Sequence, residues 1–195
     1  MSDDQIRSFI AIELPTELKK RVGVFQSSFK SFGFGFVKWV DPESMHLTLK
    51  FLGNQTEAKL ETIRQVLNKC AMGYKPFTLS TGQTSCFPNY RKVRIFWLGL
   101  GGDLSTLIRL QEEIDKSLAH EGFPREDRPF TAHLTLARLR DECSPQDRLE
   151  FARKIHDVSF EPCYQFSVGQ VTLMKSTLTP RGPVYTRLSE LKLRA

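Results

Sequence analysis

His46-Leu47-Thr48-Leu49 and His133-Leu134-Thr135-Leu136 are one tetrapeptide written twice, 87 positions apart, in a chain of 195 residues with only four histidines. The same offset links other segments. Pro42 falls on Pro129, Arg7-Ser8-Phe9 on Arg94-Ile95-Phe96, and Ser80, Gly82 and Gln83 on Ser167, Gly169 and Gln170. Separated segments sharing one register indicate two copies of a supersecondary unit, over about residues 6–85 and 92–178. With only two copies and so long a period, the expectation is one bilobal domain rather than a solenoid.

The first copy opens on a β-rich apolar run, RSFIAIEL (7–14), followed by a helix from Pro15-Thr16-Glu17 to about Phe32. A short extended piece, FVKWV (36–40), and a turn at 41–44 lead into the strand HLTLKFL (46–52), ended by Gly53-Asn54. Leu60, Ile63, Leu67 and Cys70 have helical spacing between Thr56 and Met72, and a strand over 77–84 closes the unit. The second copy repeats this order. A strand spans 91–100, and a helix capped by Asp103 runs to about His120. The strand 131–139 follows, then a helix opened by Ser144-Pro145 and a long strand over 164–176. A final strand over 183–193 pairs through the turn at 179–182. The fold expected is α+β. It has two pseudo-symmetric lobes, each a curved, largely antiparallel sheet formed by one copy with helices on its outer face, and a central cleft between them.

Strand alternation sorts the side chains. Leu47 and Leu49 face the helices while His46 and Thr48 face the other way, and Leu134 and Leu136 stand likewise against His133 and Thr135. If the two sheets face each other, both polar pairs line one groove. Imidazole titrates near neutrality, so one ring can accept a proton while the other donates one. Threonine hydroxyls on the same face can donate to phosphate oxygens as charge builds up on them. A lone His-x-Thr is more often a structural polar pair; its duplication argues for function. His120 and His156 have no such partners and are expected on the surface.

The chain's bulk properties agree with this reading. The hydrophobic and charged fractions, 40% and 26%, are ordinary for a soluble protein, and the start Met1-Ser2-Asp3-Asp4 does not resemble a signal peptide. No stretch approaches membrane-spanning length, so a cytoplasmic location is expected. Cys70, Cys86, Cys143 and Cys163 lack Cys-x-x-Cys spacing, so free thiols are expected and no metal site. A net charge of +6 suits an anionic partner such as RNA. Arg91, Lys92, Arg125 and Arg128 form a candidate basic rim, with solvated loop charges as the plainer alternative. Phe87 and Tyr90 can stack on a terminal base. Phe51 can do the same or pack in the core, and Arg7 and Arg94 can border the groove or simply flank apolar strands.

The two His-x-Thr motifs, together with RSFIAIELP, HLTLKFLG, Phe87-Pro88, RKVRIFWLG, HLTLAR and LMKSTLTPRGPVY, resemble the two-histidine (2H) phosphoesterase superfamily. Within it, the chain looks like the RNA 2′,3′-cyclic phosphodiesterase family, also known as the 2′-5′ RNA ligase family. The resemblance spans nearly the whole chain. It implies hydrolysis of an RNA-terminal 2′,3′-cyclic phosphate to a 2′-phosphate without metal or cofactor, and 2′-5′ joining as the reverse reaction. It also implies His46 as proton donor and His133 as acceptor; the identical motifs themselves leave that order open. Arg138 matches the family's basic residue after the second motif, although an offset of five from His133 puts it on the wrong face of an ideal strand. The partner expected is an RNA fragment such as a tRNA half, and the protein is expected to be a monomer. The alternatives are an enzyme for small cyclic nucleotides or 2′-5′ oligonucleotides, and a non-catalytic RNA-end binder.

Overall fold

The computed structural model describes residues 5–180 and 182–194. The acidic start at Met1–Asp4, and Arg181 within the expected turn, therefore lie outside the described residues. The first half runs β1 (Ile6–Glu13), α1 (Thr16–Lys30), β2 (Val37–Trp39), β3 (His46–Gln55), α2 (Glu57–Met72) and β4 (Phe77–Phe87). The second runs β5 (Ile95–Gly102), α3 (Leu104–His120), β6 (His133–Leu139), α4 (Pro145–Ile155), β7 (Gln165–Val168), β8 (Gln170–Thr179) and β9 (Gly182–Lys192). The helix starts follow local chemistry. The side chains of Thr56, Asp103 and Ser144 each accept the backbone N–H three residues on, and Pro145 sits at the first helical position.

Two antiparallel sheets result, ordered β3-β1-β8-β9 and β2-β6-β5-β4-β7. They do not divide the chain as its repeat suggests. The last strand of each copy crosses over: β4 joins the second sheet beside β5, and β8 joins the first beside β1. The helices cross as well. Phe29 of α1 and Phe151 of α4 pack edge-on against Phe96 in the second sheet, at 5.6 and 6.0 Å between ring centres. Meanwhile α2 and α3 lie on the first sheet. Phe96 and Phe151 are fully buried, each contributing about 1.5–3 kcal/mol by leaving water. One core of buried residues joins both layers.

Among the strand boundaries that differ from expectation, three have a distinct local cause. The long strand over 164–176 is two strands parted at Gly169, one in each sheet, because the chain changes layers there. The strand expected from residue 91 begins at Ile95, since the Asn89 carboxamide oxygen accepts from the N–H groups of Arg91 and Lys92 and folds them into a turn. Gly53 does not end β3. Its φ of +71° carries the strand past an extra residue, Leu52, to Gln55.

Candidate active site

On β1, Ile10 and Ile12 enter the main core, whereas Phe9 and Ala11 face the other way with Met174 of β8. His46 and Thr48 share that second face with them. The His46 ring stacks on Phe9 at 4.6 Å and meets Tyr185 of β9 edge-on at 5.0 Å. In the second sheet His133 is framed in the same manner, by Phe87 edge-on at 5.1 Å and by Trp97 at 5.8 Å. Each Nδ1–H donates to the carbonyl two residues back, in the segment that leads into its strand, from His46 to Ser44 at 2.9 Å and from His133 to Thr131 at 2.7 Å. With Nδ1 tied down, Nε2 is the nitrogen left to exchange protons. Burial draws both imidazoles below their ordinary value of 6.5, partly offset by these carbonyl bonds. Lys19 lowers His46 further and Glu13 raises it, while Arg138 lowers His133.

A cleft of about 530 Å³ is lined by His46, Thr48, Thr135 and Arg138, among others. His133 stands two residues from Thr135 on the same strand face. Arg138 reaches the cleft through a β-bulge. Across from β5, Thr135 pairs with Trp97 and Ala137 with Phe96, so Leu136 is an extra residue and the alternation shifts by one. The same device operates in β3. Thr48 pairs with Ala11 and Lys50 with Ile10, leaving Leu49 as the extra residue. Phe51 is thereby turned into the cleft, 63% exposed, rather than into the core. The bulges also explain the buried partner of each exposed residue, Ala137 beside Arg138 and Lys50 beside Phe51.

Four expected residues, His133, Phe87, Tyr90 and Arg94, are not in that lining; His133 and Phe87 pack against each other at 5.1 Å, and the other two have different surroundings. Tyr90 packs on His156 at 4.7 Å, in the turn that Asn89 holds, and does not line the cleft. Arg94 is exposed and 3.9 Å from Asp141, also outside the lining. The physical reason for Arg94 is a one-residue slip. His46 pairs with Glu13 and His133 with Gly99, so β1 and β5 correspond at an offset of 86, not 87, and a slip of one reverses every side chain. Arg94 therefore matches Ser8, while Arg7 does border the cleft. In the proposed basic rim, Arg125 is bound to Asp115 at 3.2 Å.

Sequence reasoning missed Lys38, Tyr185, Glu13 and the buried Gln26 and Gln111. The two glutamines could have been noticed as amides on otherwise apolar helix faces. Among the described residues no group of three or more His, Cys, Asp or Glu could hold a metal ion, and no helix is long and apolar enough to cross a membrane.

These features define a two-sheet phosphoesterase cleft built on paired His-x-Thr strands, and comparison with known proteins agrees. Residues 14–179 match the 2′-5′ RNA ligase superfamily, and the chain belongs to that family. A relative from Methanothermobacter thermautotrophicus, an RNA 2′,3′-cyclic phosphodiesterase, is 35% identical over 189 residues, covering 97% of this chain and all (100%) of the relative. Another of the same name from Methanocaldococcus jannaschii is 34% identical, covering 95% and 99%. Among solved structures, TT0787 of Thermus thermophilus superposes with a TM-score of 0.78 at 28% identity, covering 97% of this chain and 99% of that one. E. coli LigT complexed with 3′-AMP superposes at 0.73 with 26% identity, covering 98% and 99%.

Proposed function

We propose that this protein hydrolyses the 2′,3′-cyclic phosphate at an RNA end to a 2′-phosphomonoester, by acid–base catalysis between His46 and His133. The observation that carries this reading is the matched fixing of both imidazoles by Nδ1, which leaves Nε2 of each for proton transfer. The relatives' names and the 3′-AMP complex of LigT support RNA as the substrate class.

In this scheme a water oxygen attacks phosphorus while His133 Nε2 takes the water's proton. The P–O3′ bond breaks, and His46 Nε2–H supplies a proton to the departing O3′. The product carries a 2′-phosphate and a free 3′-hydroxyl. Before substrate binds, burial favours the neutral form of both rings; a bound phosphate anion raises them and recruits the proton that His46 needs. Thr48 and Thr135 donate to the non-bridging oxygens, and Arg138 offsets their charge. With the 5′-hydroxyl of a second RNA in place of water, the same displacement would form a 2′-5′ linkage, so joining would follow the direction of hydrolysis and its reversal would be cleavage of that linkage.

The test is an RNA oligonucleotide ending in a 2′,3′-cyclic phosphate, incubated with chelator, followed by identification of the product. A 2′-phosphate is expected. His46→Ala and His133→Ala should each lower kcat by about 100- to 10,000-fold while RNA is still retained. A 3′-phosphate product, or full activity in either variant, would overturn the assignment.

A further inference from the structure

Two cations stand face to face in the cleft wall. Lys38 of β2 is the direct cross-strand partner of Arg138 on β6, both are exposed, and both line the cleft. Neither has an acidic partner among the described residues. Like charges placed opposite each other on neighbouring strands oppose folding unless something compensates them. Trp39, the next residue, turns into the core against Phe29, so alternation commits Lys38 to the cleft face.

The two cations have different neighbours. Arg138 is close enough to His133 to lower its proton affinity, which puts it beside the reacting phosphorus in the scheme above. Lys38 is one strand further out, on the edge strand β2. Neighbouring strands are about 4.8 Å apart, and two long side chains can splay further, enough to span from one phosphate to the next along a nucleic-acid strand. The opposite wall carries the aromatic rings of Phe9, Phe51 and Tyr185, with Arg7 at its border. With two cations against one among the lining residues, the wall of β2 and β6 suits phosphates better, and the aromatic wall suits bases.

We propose that Lys38 is the binding site for the phosphodiester one nucleotide upstream of the cyclic phosphate, so that the cleft selects a polynucleotide end over a free nucleoside cyclic phosphate. The proposal rests on the phosphodiesterase reading above. It assigns the upstream strand an exit across the β2 edge of the second sheet.

Three substrates test it: adenosine 2′,3′-cyclic phosphate with a free 5′-hydroxyl, the same compound bearing a 5′-phosphate, and a diadenosine dinucleotide ending in the cyclic phosphate. The unaltered protein should favour the second and third over the first by about ten-fold in kcat/KM, the worth of one charge-assisted contact. Lys38→Met should erase most of that preference and reduce the salt dependence for the dinucleotide by about one unit of slope. Lys38→Arg should restore it. A preference that survives Lys38→Met, or an equal loss on all three substrates, would overturn the site. Absence of turnover on every substrate by the unaltered protein would instead overturn the phosphodiesterase reading, and this site with it.

Discussion

Gln26 and Gln111 do the same task on opposite sides of the molecule. Gln26 Nε2 of α1 donates to the carbonyl of Leu136 at 2.9 Å, and Gln111 Nε2 of α3 donates to the carbonyl of Leu49 at 3.3 Å. Those carbonyls belong to the extra residues of the two bulges. Each buried amide thus holds the kink that turns Arg138 or Phe51 into the cleft. Gln26 also bonds the Val40 carbonyl at 2.9 Å, tying β2 to the same point. Gln26→Leu should cost about 1–3 kcal/mol in urea unfolding and lower kcat by up to about 100-fold by misaiming Arg138. Gln111→Leu should raise KM instead. Steady-state kinetics on both variants separate the two outcomes.

Glu13 lies directly across from His46, where the matching neighbour of His133 is Gly99. Its carboxylate is held by Arg187 at 2.9 Å and by the Thr172 hydroxyl at 3.1 Å. A carboxylate there favours the imidazolium form of His46 and opposes the influence of Lys19. Glu13→Gln should lower the titration midpoint of His46, and Lys19→Met should raise it, with His133 unmoved in both. NMR titration of the ring protons measures this without reference to turnover.

Stability should fall with acid before the carboxylates titrate. Both His-x-Thr imidazoles sit below 6.5 in the folded protein, chiefly through burial. The unfolded chain therefore binds more protons just below that value. Their contribution is fully present above about pH 6.5 and is lost as pH falls through the folded values. Urea midpoints measured from about pH 8 to about pH 5 should decline, and a His46→Asn, His133→Asn double variant should decline less.

Lys50 and Asp115 form a buried ion pair at 2.5 Å, a consequence of the β3 bulge, which turns Lys50 inward. Burial pushes the Asp115 carboxyl up, but hydrogen bonds from Lys50 and Arg125 outweigh it and hold the group below the usual carboxylate range. The two partners are unequal. Without Lys50, Asp115 keeps Arg125 and the Glu126 N–H; without Asp115, Lys50 keeps only the Pro124 carbonyl. Asp115→Leu should cost about 3–5 kcal/mol. Lys50→Met should cost distinctly less in the same urea titration.

Phe51→Ala should leave stability unchanged, since the ring is mostly in solvent. As a platform for a base it should contribute about 1–3 kcal/mol to substrate binding, read as a raised KM with little change in kcat. A variant with unaltered KM would return Phe51 to the status of an incidental surface ring.

Periodicity made the strands, helices and caps legible, and the duplicated His-x-Thr pointed to the cleft that His46, Thr48 and Thr135 line together. What it could not convey came from pairing. The layer change at Gly169 and the crossing of β4 and β8 are choices of partner, and alternation within one strand carries no record of its neighbour. Arg138 looked misdirected because an ideal strand was assumed, while Leu136 is extra only by comparison with β5. Arg94 was matched to Arg7 by an ungapped register that holds for the histidines and fails by one residue in β5. Lys38 sits on a strand of three residues, too short for a pattern to single it out.

The reciprocal crossing of β4 and β8 gives the molecule no seam. Pulling the two sequence halves apart would require unzipping a ladder in each sheet, so neither half can leave without dismantling both layers. The two His-x-Thr strands, β3 and β6, are thereby carried on sheets that each contain strands of both halves.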